Sequence, residues 1–172
     1  MGNISYSDTC PVHGHYSINL NYAVDNFFIN REYIQEIKTN LDNIKYPLRL
    51  DNKDYEFIPN GSNTIGPINY LMESFLHVVT ETCFWERKKH LTEKIFKPIV
   101  LKMPFILVGC ANNLQYLRSY GFQTFGDFWD ESYDSIQNPV QRLSAVVDVL
   151  KQLANLSYQQ QQNMLKQMLP IL

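Results

Sequence analysis

Two short apolar runs, Phe75-Leu76-His77-Val78-Val79 and Phe105-Ile106-Leu107-Val108, flank a charged loop and a helix-forming stretch. That order constrains the fold more than any other feature of the chain. Runs this short, continuously apolar and rich in β-branched residues are expected as strands buried on both faces. The stretch between them, Thr92 to Lys102, has the pattern of a helix. Strand, helix and strand in this order form the crossover unit of a parallel sheet. The expected fold class is α/β, a parallel sheet with helices on both faces. Ligands of such sheets bind beyond the carboxyl ends of the strands. Glu81, Gly109 and the loop 126–134 all fall at those ends.

The rest of the chain is placed around this unit. Tyr33, Ile34, Ile37 and Leu41 recur at helical spacing between Asn30 and Asn43, and Pro47 stops that helix. Tyr55 to Ile58 is expected as a short strand before the turn at Pro59-Asn60-Gly61, and residues 66–73 as a short helix. Asn112 to Tyr120 is expected as a helix ended by Gly121 in the left-handed conformation, and Phe122 to Phe125 as a third strand. A helix from Pro139 to about residue 156 and another from Tyr158 to Leu169 complete the chain. The organisation expected is an N-terminal helical or irregular arm over residues 1–65 and an α/β domain over residues 66–172.

The helix start Leu91-Thr92-Glu93-Lys94 carries the chemistry. Thr92 suits an N-cap, and Leu91 with Phe96 has the spacing of a hydrophobic staple. A helix start offers unpaired N–H groups and a positive dipole end to an anion. Lys94 adds a formal charge, while Glu93 and Glu81 can accept hydrogen bonds from sugar hydroxyls. Seen alone, the same residues also make a well-capped helix start on a solvated face, with Glu81 a loop carboxylate near Arg87 and Lys88. Pro98 removes an interior hydrogen bond at a typical cost of about 3 kcal/mol, and a kink there would aim the helix start. His77 is expected as a hydrogen-bonded core histidine, and His90 as a residue facing a phosphate. Asp127, Asp130 and Asp134 read as solvated carboxylates and helix caps, and no metal site is expected from them or from Cys10, His13 and His15.

Composition narrows the class. A net charge of −2 over 172 residues gives no reason to expect nucleic acid as a partner. No apolar stretch is long enough to span a bilayer. Three widely spaced cysteines imply no disulfide framework, and Met1 to Tyr6 has no signal-peptide pattern. The expected location is the cytoplasm or a virus particle. There is no P-loop, no G-x-G-x-x-G turn and no G-x-S-x-G elbow.

The blocks Ser74–Thr82, Leu91–Ile99 and Pro104–Gly109, followed by Leu114–Phe125 and Asp130–Asp134, resemble the donor-binding, C-terminal half of GT-B glycosyltransferases. The fucosyltransferase-like and exostosin-like kind from bacteria and their viruses is the most similar. The resemblance covers about residues 70–155 and implies a single Rossmann-like half-domain that binds a nucleotide sugar without a metal or other cofactor. It puts Glu81 near the donor sugar, Glu93 on the ribose hydroxyls and Lys94 on the diphosphate, with Thr92 and Gly109 beside them. The implied activity is transfer of a hexosyl or fucosyl group to a glycan or other acceptor. Only about seventy residues precede these blocks, too few for the acceptor-binding half, so the catalytic residue is unknown. The alternative is a non-catalytic accessory, virion or assembly protein that keeps the fold and covers its cleft with a protein partner or a second copy.

Overall fold

The computed structural model describes residues 9–10, 14–25, 34–43, 73–85 and 87–172. The chain divides into two compact units, Met1–Gly61 and Ser62–Leu172. The strand expected at 55–58, the turn at 59–61 and residues 66–72 lie outside the described residues, as do His13 and Tyr33.

In the first unit, β1 (Thr9–Cys10) pairs antiparallel with β2 (Gly14–His15), which runs directly into α1 (Tyr16–Asp25). The α1 start is capped locally, since the Ser17 amide donates to His15 Nδ1 at 3.3 Å. Leu20 and Val24, one turn apart, are buried in α1. The amphipathic stretch around residue 37 forms α2 (Ile34–Asp42).

The second unit is built on the expected crossover. Strand β3 (His77–Thr80) and β4 (Phe105–Val108) pair in parallel, with His77 opposite Phe105 and Thr80 opposite Val108. Helix α3 (Glu93–Val100) connects them and packs on β3. The architecture is therefore α/β around a two-stranded parallel sheet. The two strands are not buried alike. Phe105, Ile106 and Leu107 of β4 are all buried, whereas Val79 alone is buried in β3, and Val78 and Thr80 are exposed. The expectation that both strands lie buried on both faces holds for β4 and not for β3.

After β4 come α4 (Asn113–Ser119), a 3₁₀ turn (Ser132–Ser135), α5 (Pro139–Ala154) and α6 (Tyr158–Met168). Sequence signals explain their ends. Gly121 closes α4 with φ +90. Asn138 accepts from the Val140 and Gln141 amides ahead of Pro139, and Ser157 with Gln160 forms a capping box. The core gathers Ile95, Ile106, Leu114, Leu117, Phe125 and Tyr133 with Val146, Val149, Leu153 and Met168. Phe125 meets Phe105 edge-on at 5.1 Å and stacks with Trp129 at 5.0 Å.

The third strand expected at 122–125 does not form. Phe125 turns inward, and its amide is bonded to the buried Glu131 carboxylate at 2.9 Å. Glu131 also accepts from Thr124 Oγ1 and pairs with Arg118. A side chain from within the same loop thus takes the hydrogen bond a neighbouring strand would have made.

Candidate functional site

Glu81 continues the pairing of β3 by one residue, its amide donating to the Val108 carbonyl at 2.9 Å. This fixes the side chain at the carboxyl end of the sheet, where it is only 8% exposed. One carboxylate oxygen accepts from the Thr92 amide at 3.1 Å, and the other from Thr92 Oγ1 at 2.7 Å. Thr92 is extended, and its hydroxyl oxygen accepts from the Lys94 amide at 3.3 Å. The N-cap expected at Thr92 is therefore real, and Glu81 is the second half of it. A consequence is electrostatic. The anion resting on the start of α3 is the carboxylate of Glu81 itself.

With the backbone held this way, Glu93 and Lys94 stay accessible, their side chains 37% and 40% exposed. Lys94 Nζ donates to Thr82 Oγ1 at 2.9 Å and lies 3.9 Å from the Glu93 carboxylate. A partly exposed cation and a partly exposed carboxylate thus stand side by side at the strand ends. Together they can meet an anionic group and a hydroxyl of one ligand.

Gly109 follows β4, and its backbone is approached closely. A Cβ there would lie 2.7 Å from Asn113 Nδ2 and 3.5 Å from Glu81 Cβ. Asn113, 1% exposed, uses that space to clamp the loop before α3. Its Nδ2 donates to the His90 carbonyl at 2.9 Å, and its Oδ1 accepts from the His90 amide at 3.3 Å. His90 lines a cleft of about 310 Å³ with Lys89, Leu91, Phe96, Tyr116 and Tyr120. The expected staple pair, Leu91 and Phe96, forms part of its wall.

The start of α4 is also closed by an internal anion. Asp134 accepts from the Leu114 and Gln115 amides at 2.8 and 3.0 Å, and its carbonyl accepts from the Asn112 amide. Burial pushes the Asp134 carboxyl above its ordinary range, and these amide donors pull it back. Of the acidic loop, Asp127 and Asp130 remain exposed, and Asp130 accepts from the Ser132 amide and hydroxyl, which holds its pKa below the usual value. Among the described residues no three His, Cys, Asp or Glu side chains converge as a metal site would require.

Arg142 was not anticipated. It is 3% exposed, with Nε donating to the Gly109 carbonyl at 3.0 Å, Nη1 to the Ile136 carbonyl at 2.7 Å and Nη2 to the Phe84 carbonyl. Its guanidinium lies 4.6 Å from the centre of the Phe84 ring. The signal was present in the sequence, because Arg142 shares the inward face of α5 with Val146, Val149 and Leu153. An arginine on an apolar helical face has to be met by something inside. His77 needs a correction. It is only partly buried, and its Nδ1 has no hydrogen-bond partner among the described residues, while burial and the charge of Lys97 on α3 disfavour its protonated form. Comparison with models of known families, with curated proteins and with solved structures finds no match.

Proposed function

We propose that the chain is a glycosyltransferase-like protein whose Rossmann-like second unit binds a nucleotide-sugar donor at the carboxyl ends of β3 and β4. One observation carries the reading. The Glu81–Thr92 lock presents Glu93 and Lys94 together, and partly exposed, where an open parallel sheet takes its ligands. Glu93 accepts the ribose hydroxyls, and Lys94 faces the diphosphate. Glu81 has both oxygens engaged by Thr92, so its contribution to the donor sugar runs through the shape of the loop. Because that carboxylate already occupies the α3 dipole, positive side chains balance the diphosphate. Stabilising the leaving diphosphate in this way lowers the barrier to breaking the glycosidic bond. Gly109 lets Asn113 and Glu81 pack against the backbone after β4 and so keeps the loops of the site in place.

A second reading is a binding or assembly protein that keeps the fold without transfer. The exposed apolar stripe Val140, Leu143 and Val147 on α5 favours it, since a protein partner or second copy would cover such a face. No helix among the described residues is long and apolar enough to cross a membrane.

Calorimetric titration with a panel of nucleotides and nucleotide sugars separates the two. The donor reading expects binding by at least one of them. Lys94→Ala should weaken it about tenfold or more, the worth of a charge-assisted hydrogen bond. Absence of binding by every member of the panel sinks the transferase reading. Binding that Lys94→Ala leaves untouched sinks this site.

A further inference from the structure

We infer that Arg142 is a positioning residue of the same site, a buried cation that ties the two strand-end loops together and makes the seat between them selective for a phosphate-bearing ligand. The inference rests on the donor-binding reading above. Its geometric basis is that one guanidinium spans both loops. Nε holds Gly109, directly after β4, and Nη2 holds Phe84, three residues beyond Glu81. Gly109 in turn packs against Glu81 and Asn113. Arg142 therefore holds the loops that follow β3 and β4, next to the strand ends that Glu81 and Gly109 mark.

The second basis is charge. A buried arginine is normally met by a carboxylate, because carbonyl oxygens satisfy its N–H groups without neutralising its charge. Here the partners are the carbonyls of Gly109, Phe84, Ile136 and Gln137 together with the Phe84 ring. No carboxylate among the described residues lies within ion-pair distance of it. Burial draws its pKa down, and Cys110 and then Asp134 offset that only in part. Even so, a guanidinium stays protonated. A charge offset only in part, and poorly screened by water, attracts an anion to the loops it holds. Lys94 reaches that anion with an exposed side chain, and Arg142 acts through the backbone it holds.

The test uses the full chain and four nucleoside diphosphates (uridine, guanosine, adenosine and cytidine), each titrated against its uncharged nucleoside. The measured quantity is the ratio of nucleoside to diphosphate dissociation constants. Arg142→Met should lower that ratio about tenfold or more, and Arg142→Lys, which keeps the charge, should restore most of it. A purely structural role would weaken both ligands equally, and an unchanged ratio in a folded Arg142→Met variant overturns the inference. If the wild type binds none of the diphosphates, the donor reading falls and takes this inference with it. If the wild type binds and the ratio ignores Arg142, only this inference falls. Should Arg142→Met fail to fold, hydrogen exchange on the wild type decides. Uridine, guanosine, adenosine or cytidine diphosphate should protect amides in 82–85 and 109–111 beyond what the nucleoside does. Equal protection by the nucleoside, or protection of only one segment, overturns it.

Discussion

Lys102 shows how much a single backbone position can hide. Helix α3 ends in a paired closure, with the Met103 amide donating to the Pro98 carbonyl at 2.8 Å and the Lys102 amide to the Ile99 carbonyl at 3.1 Å. That closure needs a left-handed residue, and Lys102 supplies it with φ 53. A side chain there costs about 1–2 kcal/mol, which glycine avoids. Lys102 is exposed, so its replacement loses no packing. Lys102→Gly should therefore stabilise the protein by about 1 kcal/mol, seen as a higher denaturant midpoint at unchanged slope. An unchanged or lower midpoint would mean that the strain is relieved some other way. The left-handed residue at Gly121 was legible in the sequence because glycine advertises it. At Lys102 the residue type is silent, and only the observed φ reveals the turn.

At the scale of the element, α3 depends on a partner outside itself. Its cap is Thr92, but the Thr92 hydroxyl and amide are both directed by Glu81 from the end of β3. Thr92→Ala should cost about 1–2 kcal/mol, in the upper range for a lost N-cap. Glu81→Gln should also destabilise, and the two losses should not add. A double-mutant cycle is expected to return a coupling of about 0.5–3 kcal/mol. Additive losses would show that cap and carboxylate act independently. The cap itself was legible, since Thr-Glu-Lys after Leu91 is a local signal. Its coupling to Glu81 was not, because residues eleven apart meet only once β3, the loop and α3 are folded. The same limit explains the missing strand at 122–125, whose amide donor at Phe125 is claimed by Glu131.

Across the whole molecule, His77 links the fold to pH. Burial, and then the charge of Lys97, hold its imidazole below the ordinary pKa. In the unfolded chain a histidine protonates near pH 6.5 or so. Between that pH and the lower folded value, the unfolded state binds more protons, so stability falls as the pH falls. Above that window both states are neutral at this residue and its contribution is complete. Urea unfolding from pH 7 to pH 5 should show this decline, with at most about 1.4 kcal/mol per pH unit from one group. His77→Val should flatten that part of the curve, while equal slopes in both proteins would remove His77 as the cause. By itself the sequence determined the βαβ order of the second unit, the helix cap at Thr92 and the glycine closure of α4. Each of these depends on neighbours within a few residues or on the period of apolar side chains. Tertiary structure alone decided that Glu81 and Asp134 fill the two helix starts, that Asn113 clamps His90, and that Arg142 spans Phe84 and Gly109. Those contacts join residues 11 to 58 positions apart. A buried charge or carboxylate shows only that it needs a partner, and packing selects which one it gets.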